Sequence, residues 1–319
     1  MFYMYTELQK SILQTLVYFD LESFPLTKEE VFYYLWKYAP LGELEVWAAL
    51  KELVQRNKIE QHYGYFYLKG RDSVVEERQK RLLYAEKLLS KARLAIKLIN
   101  WIPFLRGVFI CNSIASETAT LQSDIDFFII SAKGRIWTVR FFTNLVLLLC
   151  GLRRHGKKVA ARICLSFYVS EDNLNLSNQR IFPDDIHFIY WIEHMLPLYD
   201  PEFIFDRFRK ENAWMKEYVP HISAAIPGEN FSPYIHSGKI KKSIQKIVQK
   251  ILEHKLGDIL EKILRFLQLN KMAGSAKKII PSDVDRGVFV SDSIIKLHEK
   301  DTRRWYYQSW QEKIKMYDF

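Results

Sequence analysis

Hydrophobic residues recur every three or four positions through the first sixty residues, which is the spacing of amphipathic helices. The pattern predicts helices over residues 6–20, 27–38 and 43–56. The second helix has a clear start, because Thr27 can cap it and Glu30, three residues later, completes a capping box. The N-terminal part of the chain is therefore predicted to be helical.

Two short runs rich in aromatic and β-branched residues follow at 58–68 and are hinged at Tyr63-Gly64, which predicts a β-hairpin. Three helices followed by a hairpin resemble a winged helix, a fold often found on DNA. DNA binding requires Lys and Arg to neutralise phosphates, yet Glu43, Glu45 and Glu52 lie on the helix that would enter a groove. We therefore favour docking of this module against the rest of the chain.

From residue 72 onward the spacing of hydrophobic residues changes from helical to partly strand-like and then back to helical. A long helical pattern runs to residue 99 and ends before Pro103, and further helices are predicted at 184–197 and 201–217. Between them lies a strand-loop-strand-helix-strand order. Its predicted elements are strands at 107–111, 125–131 and 162–169 and a helix at 136–152. The fold class expected is mixed α+β, with a small mixed sheet flanked by an N-terminal module and a helical C-terminal region.

The segment 238–270 is strongly amphipathic and basic, and its pattern predicts one helix or a pair of helices. Its apolar stripe consists of Ile240, Ile244, Ile247, Ile251, Leu252, Leu256, Ile259, Leu260, Ile263, Leu264 and Leu267. A helix needs such a stripe to cover a core, and we expect it to serve that purpose. The lysines outside the stripe can attract a polyanion, with RNA, an acidic protein and an anionic membrane surface as the alternatives.

Charge is spread unevenly along the 319 residues, which suffice for about two domains. The net charge is +10, but residues 1–75 carry −2 and residues 236–280 carry +8. An acidic partner is therefore expected near the second of these segments. The hydrophobic share of 49% is enough for sizeable packed cores and excludes a disordered chain.

Cysteine usage and the apolar stretches indicate the compartment. Cys111, Cys150 and Cys164 are far apart and odd in number, so we expect a reducing environment rather than a disulfide framework. Residues 1–10 lack the features of a signal peptide. The longest apolar stretch, 141–152, is shorter than the roughly 20 residues that a spanning helix needs. The sequence predicts a cytoplasmic protein without a membrane span.

One group of polar and acidic residues is suited to a functional site. The apolar strand ending at Cys111 stops at the small polar pair Asn112-Ser113, and Asp124 and Asp126 open the next strand. Strand side chains alternate, so both carboxylates point to one face. Such neighbours repel each other unless a cation, a proton or a basic group intervenes. Mg²⁺ fits because it prefers oxygen ligands and commonly shares carboxylates with substrate phosphates. The arrangement therefore indicates a metal site.

This arrangement resembles the nucleotidyltransferase superfamily with the DNA polymerase beta-like fold. In that family an apolar strand, Gly-Ser, about ten residues and Asp-x-Asp follow one another. Here Asn112-Ser113 stands at Gly-Ser, ten residues before Asp124. The usual small residues are also present, at Ala115, Ala119 and Ser123. The sequence departs from the pattern at Asn112, at Glu117, where a second Gly is common, and at Ser116, where many members have Arg.

The resemblance implies that Asp124 and Asp126 hold Mg²⁺ or Mn²⁺ against an NTP, with Asn112, Ser113 and Ser123 near the nucleotide. It also implies transfer of a nucleoside monophosphate to an acceptor, which the sequence does not identify as a small molecule, a protein or an RNA. The family places a third carboxylate on a later strand, where this chain offers only Ser166 on the polar side. Glu171 and Asp172, just beyond that strand, are the candidates for this role if the chain curls back.

The expected organisation is a winged-helix-like module (1–71), a connecting helix (72–100), a nucleotidyltransferase core (101–183) and a helical C-terminal region (184–319). The basic run 153–158 fits a helix end capped by Gly156 better than a phosphate grip. Two other functions stay open. One is a non-catalytic nucleotide-binding regulator on the same fold, and the other is a nucleic-acid-binding regulator that uses the N-terminal module and the basic segment.

Overall fold

Two β-sheets organise the chain. The computed structural model describes residues 5–222, 234–275, 287–297 and 301–317. The helices are α1 (Glu7–Leu21), α2 (Lys28–Tyr33), α3 (Glu43–Gln55), α4 (Ser73–Ile99), α5 (Asn112–Ala115), α6 (Ile136–Leu149), α7 (Ile186–Glu193), α8 (Ile204–Glu211), α9 (Lys239–Leu252), α10 (Lys255–Ser275) and α11 (Arg303–Lys315). The strands are β1 (Leu26–Thr27), β2 (Ile59–His62), β3 (Tyr65–Leu68), β4 (Leu105–Cys111), β5 (Ile125–Ser131), β6 (Ile163–Ser170), β7 (Leu196–Tyr199), β8 (Val288–Val290) and β9 (Ile294–Leu297). The predicted mixed α+β fold is confirmed.

The N-terminal module contains α1 to α3 and a small antiparallel sheet in the order β1-β3-β2. The capping box at Thr27 and Glu30 is present, and α2 begins after it as expected. The helix ends at Tyr33 rather than at residue 38. The reason lies in Trp36, whose backbone N–H donates to Thr15 Oγ1 at 3.0 Å and whose carbonyl accepts from Ser11 Oγ at 2.6 Å. Side chains of α1 thus replace the hydrogen bonds that a longer helix would have made.

Helix α1 also packs against the C-terminal part of the chain, chiefly against α11 and α7. The Trp310 indole N–H donates to the carbonyl of Gln14 at 2.9 Å. Lys313 pairs with Asp20, and the Tyr18 ring lies 4.7 Å from that of Tyr190. The expected docking of the N-terminal module against the rest of the chain is therefore confirmed.

The central sheet has six strands in the order β7-β4-β5-β6-β9-β8. Strand β4 runs antiparallel to β5, and β5 runs parallel to β6, with helix α6 forming the crossover. One apolar core lies on the face covered by α4 and α6, and a second core joins the opposite face to α7, α8 and the N-terminal module. The predicted strand-loop-strand-helix-strand order is confirmed.

The region after residue 183 differs from its predicted all-helical character. The helix expected over 184–197 ends at Glu193, and the next residues form β7, which pairs with β4 at the sheet edge. Pro197 is tolerated there because an edge strand needs fewer backbone donors. The helix expected over 201–217 divides into α8 and a short 3-10 turn. Because β7, β8 and β9 all join the central sheet, residue 183 marks no structural boundary.

The basic segment 238–270 lies in the two helices α9 and α10. Of the two predicted possibilities, one helix or a pair, the structure has the pair. Its orientation differs from the expectation that the apolar stripe covers the core. Most of the stripe is exposed. Among the residues of 239–272, all of which have a described burial, the buried ones are Gln245, Gly257, Leu264 and Gln268. Among the described residues, no helix combines the length and the apolar character needed to cross a bilayer.

Candidate metal and nucleotide site

The end of β4 and the start of β5 meet because the two strands are antiparallel, with Cys111 opposite Asp126. Asn112 and Ser113 therefore follow β4 directly beside the two carboxylates. Asn112 adopts a left-handed backbone with φ 56°, which turns the chain from β4 into α5. Asparagine tolerates that region better than most residues. The structure thus brings Asn112, Asp124 and Asp126 together, with Ser113 next to Asn112 in the chain.

Asp124 and Asp126 project from the same side of the chain, with side chains from β4 and β6 beside them. Asp126 is 7% exposed. Burial and, to a smaller extent, the charge of Asp124 together raise the pKa of the Asp126 carboxyl to about 6, although a hydrogen bond with the Asn112 side chain opposes them. A carboxylate held in this way gains from a nearby cation.

Cys164 occupies the third place in this cluster. It pairs with Asp126 across the parallel β5-β6 ladder, and ligand atoms of Asp124, Asp126 and Cys164 all lie within 4.8 Å of one another. Burial raises the pKa of the Cys164 thiol to about 12, so it is protonated at neutral pH. The Cys164 thiol and the Ser166 hydroxyl lie 3.4 Å apart.

The sequence analysis missed Cys164, although the residue alternates with Ser166 along the predicted strand. The ladder shifts register between Asp126 and Phe128, where β6 carries one extra residue opposite β5. Such a bulge leaves no reliable trace in an apolar strand, and it decides which β6 side chain faces the carboxylates.

Glu171 and Asp172 lie at the opposite end of the strand pair, so the prediction that one of them completes the site is wrong. Since β5 and β6 are parallel, the cluster lies where both strands begin and Glu171 follows where both end. There it pairs with Arg106 at 3.2 Å and accepts from the backbone N–H of Lys133. The Asp172 carboxylate accepts from Ser170 Oγ at 2.5 Å.

Arg154 brings a positive charge to the cluster. Its Nη1 lies 2.7 Å from Asp124 Oδ2 and 3.8 Å from Cys164 Sγ. The interpretation of this run as a helix end capped by Gly156 is wrong, because α6 ends at Leu149 and Gly151 supplies the left-handed residue. After this turn the chain folds back, and the Arg154 side chain reaches Asp124, the residue before β5.

The loop between α5 and β5 is held by its own hydrogen bonds. Ser123 Oγ accepts from the Thr120 backbone N–H at 2.9 Å, and the Ser123 carbonyl accepts from Ala161. The Ser123 hydroxyl therefore closes a turn, which differs from the nucleotide contact that the resemblance implies. Glu117 adopts a left-handed backbone with φ 56° and pairs with Arg78 at 3.5 Å.

A cavity of about 320 Å³ begins at Asn112 and Ser113 and extends over the same face of the sheet. Trp191 forms part of its wall, stacked between Phe167 and Phe188 with ring centroids 5.5 and 5.6 Å away. The indole N–H donates to Asn112 Oδ1 at 2.6 Å. Since Asn112 also bonds to Asp126, one chain of hydrogen bonds joins the cavity wall to the carboxylate.

The cavity is also lined by Glu22, which directly follows α1, and by His187 of α7. The His187 ring stacks on Tyr306 with centroids 3.9 Å apart, and its Nδ1 lies 3.7 Å from the Glu22 carboxylate. Burial raises the pKa of Glu22 to about 7 and lowers that of His187 to about 3. The cavity thus combines aromatic walls with one carboxyl group that changes its charge near neutral pH.

Comparisons of the chain with protein-family models, with curated proteins and with solved structures gave no match. The function is therefore argued from the chemistry and geometry of the site.

Proposed function

We propose that this chain is a metal-dependent nucleotidyltransferase, which moves a nucleoside monophosphate from an NTP to an acceptor. The observation that carries the proposal is the position of Asp124 and Asp126 beside Asn112-Ser113, at the junction of β4 and β5. The adjoining cavity reaches Ser113 and has the size of a small ligand pocket. Asn112 lines the cavity and bonds to Asp126, so a ligand in the cavity would lie next to the residue that holds this carboxylate.

The backbone of the loop supports the same conclusion. Asn112 and Glu117 both have φ 56°, a conformation that favours glycine. These are the two positions at which the resembled family commonly has Gly. A non-glycine residue in this region costs about 1 kcal/mol or more. The left-handed backbone at both positions supports the resemblance.

The donor set fits a divalent cation. Asp124 and Asp126 offer neighbouring carboxylate oxygens, and a cation would offset the repulsion that raises the pKa of Asp126. Mg²⁺ and Mn²⁺ commonly use one or two carboxylates and keep several waters. When bound, such an ion supplies charge neutralisation at the phosphates and activation of an attacking hydroxyl. Cys164 suits a hard cation poorly, so the two aspartates would carry the binding.

The remaining residues supply positioning. Ser113 lines the cavity, and its hydroxyl would be a donor to a nucleotide phosphate. Arg154 lies against Asp124 with its side chain 46% exposed, so it can turn from that carboxylate towards a phosphate. Trp191 fixes the Asn112 side chain, and with it the orientation of Asp126. Together they would hold the reacting groups rather than react themselves.

The test is turnover by the purified chain with Mg²⁺ or Mn²⁺ and each of the four NTPs, followed as pyrophosphate release and acceptor labelling. Asp124→Asn and Asp126→Asn should each lower turnover by about 100-fold or more, because each removes a metal ligand. Asp172→Asn is the matched control, since this carboxylate lies at the other end of the strands. Equal turnover in all three variants would remove the proposal.

A non-catalytic nucleotide-binding role is the second candidate, and Cys164 favours it because a thiol takes the place of the third carboxylate. It predicts saturable NTP binding by calorimetry, with neither pyrophosphate nor labelled acceptor formed. In that case Ser113→Ala should weaken NTP binding, whereas Ser123→Ala should not.

A further inference from the structure

Helix α9 places Gln245 and Lys241 against the protein and leaves its apolar stripe exposed. Gln245 is 9% exposed and donates from Nε2 to the carbonyl of Ile102 at 2.9 Å. Lys241 likewise donates to the carbonyl of Lys97. A helix that covers a core buries its apolar stripe. The polarity of α9 is the reverse, so its stripe is available to something outside this chain.

The exposed stripe continues along α10. Nine large apolar side chains of the two helices are each at least 44% exposed, namely Ile240, Ile244, Ile247, Ile251, Leu256, Ile259, Ile263, Phe266 and Leu267. Their spacing of three and four residues places them on one side of each helix. Single exposed apolar residues are ordinary, but a row of this length marks an interaction surface. We refer to these nine residues as the outer stripe.

Positive charge accompanies the outer stripe. Helix α9 contains five lysines and no acidic residue. Four of these lysines, Lys239, Lys242, Lys246 and Lys250, are exposed. The segment 236–280 carries +8 of the net charge of the chain. An occupant of this surface must therefore accept aliphatic side chains and be negatively charged.

We propose that α9 and α10 lie in the plane of an anionic lipid bilayer, with the outer stripe in the acyl boundary and the lysines at the headgroups. Apolar residues on one side and lysines on the other are the features of interfacial helices. A spanning role does not fit, because no described helix is long and apolar enough for it. The proposal does not depend on nucleotidyl transfer.

Other occupants fit the composition less well. Protein interfaces are enriched in Tyr, Trp and Arg and depleted in Lys, whereas residues 239–275 contain eight Lys, one Arg, and neither Tyr nor Trp. A nucleic acid would need the lysines but would leave the outer stripe in water. An anionic bilayer satisfies both the charge and the apolar area.

The experiment is co-sedimentation of the full chain with two kinds of vesicle, phosphatidylcholine alone and an equimolar mixture with phosphatidylglycerol. Binding should require the anionic lipid and weaken with added salt. Combined Lys242→Glu, Lys246→Glu and Lys250→Glu should lower the partition coefficient by about 100-fold or more, because each lysine contributes roughly fivefold near an anionic surface. Ile247→Gln with Ile251→Gln should lower it by about tenfold.

Leu83→Gln with Lys87→Glu is the matched control, since both residues are exposed on α4 and the change removes one apolar and one basic side chain. This variant should bind anionic vesicles like the unmodified chain. Circular dichroism should show the same helical content in every variant, because all substituted positions are exposed.

Three results would overturn the proposal. One is the absence of sedimentation with anionic vesicles. Another is binding that the isoleucine substitutions leave unchanged, which indicates simple attraction to a polyanion. The third is a dimer seen by light scattering that the isoleucine substitutions dissociate, which assigns the outer stripe to a second copy of the chain.

Discussion

Trp191 offers the sharpest test of how the cavity wall supports the carboxylates. Trp191→Phe keeps an aromatic ring between Phe167 and Phe188 but removes the indole N–H that donates to Asn112 Oδ1 at 2.6 Å. The lost hydrogen bond and the partly buried carbonyl left behind should lower the free energy of unfolding by about 1–2 kcal/mol. Contraction of the ring adds to this loss, so a control is required.

Trp214→Phe provides that control. The Trp214 indole N–H also donates to an asparagine, Asn212 Oδ1, at 3.1 Å, and the ring contraction is the same. Asn212 Oδ1 keeps a second donor, the backbone N–H of Leu176 at 2.9 Å, so no acceptor is orphaned. The difference in unfolding free energy between the two variants measures the cost of leaving Asn112 Oδ1 without its donor. We expect this difference to be about 1 kcal/mol in urea titrations.

Mn²⁺ affinity distinguishes a role of Trp191 in positioning Asp126 from a role in stabilising the fold alone. If Trp191 orients Asp126 through Asn112, its replacement by Phe should weaken Mn²⁺ binding by about tenfold, as removal of an outer-shell partner does. Trp214→Phe should leave Mn²⁺ affinity unchanged. Equal unfolding free energies and equal Mn²⁺ affinities in the two variants would refute the hydrogen-bond chain from Trp191 to Asp126.

Three further predictions follow from contacts near the site. Cys164→Asp adds the third carboxylate that the family resemblance implies, and calorimetry should show Mg²⁺ binding about tenfold tighter than in Cys164→Ser; equal affinities would contradict this. Arg303→Leu leaves the buried Asp185 carboxylate without the cation 3.2 Å away, so denaturant titration should show a loss of about 3–5 kcal/mol, in contrast to Arg304→Leu. Glu22 has a folded pKa raised to about 7, so its stabilisation is full below pH 4.5 and lost as the pH rises to about 7. Glu22→Gln should remove a slope of about 1.4 kcal/mol per pH unit from the unfolding free energy in that window, and an unchanged slope would rule out the burial of this carboxyl.

The sequence was sufficient where local chemistry decides the structure. The bounds of β5 and of α4 followed from hydrophobic period and from the break before Pro103. Strand alternation predicted that Asp124 and Asp126 share a face, and the family resemblance placed Asn112 beside them, where β4 meets β5.

The sequence was insufficient where distant segments decide the structure. The sequence of β7 resembles the end of a helix, because its strand conformation depends on pairing with β4 in the folded chain. The bulge in β6 placed Cys164 beside the carboxylates, and the turn after α6 brought Arg154 to Asp124. The orientation of α9 is a similar case, because hydrophobic period identifies a stripe without telling whether it faces the core or the outside.

The joining of α1 to α11 has a consequence for how the chain acquires its cavity. Gln14 and Trp310 bond to each other across 296 positions of sequence, and the cavity is lined by Glu22, which directly follows the first of these helices, and by Tyr306 of the second. Contacts of such separation form late, since the intervening chain must first be ordered. During biosynthesis β4, β5 and β6, with the carboxylates, can therefore pair on an emerging polypeptide, while the pocket beside them stays open until α11 has docked.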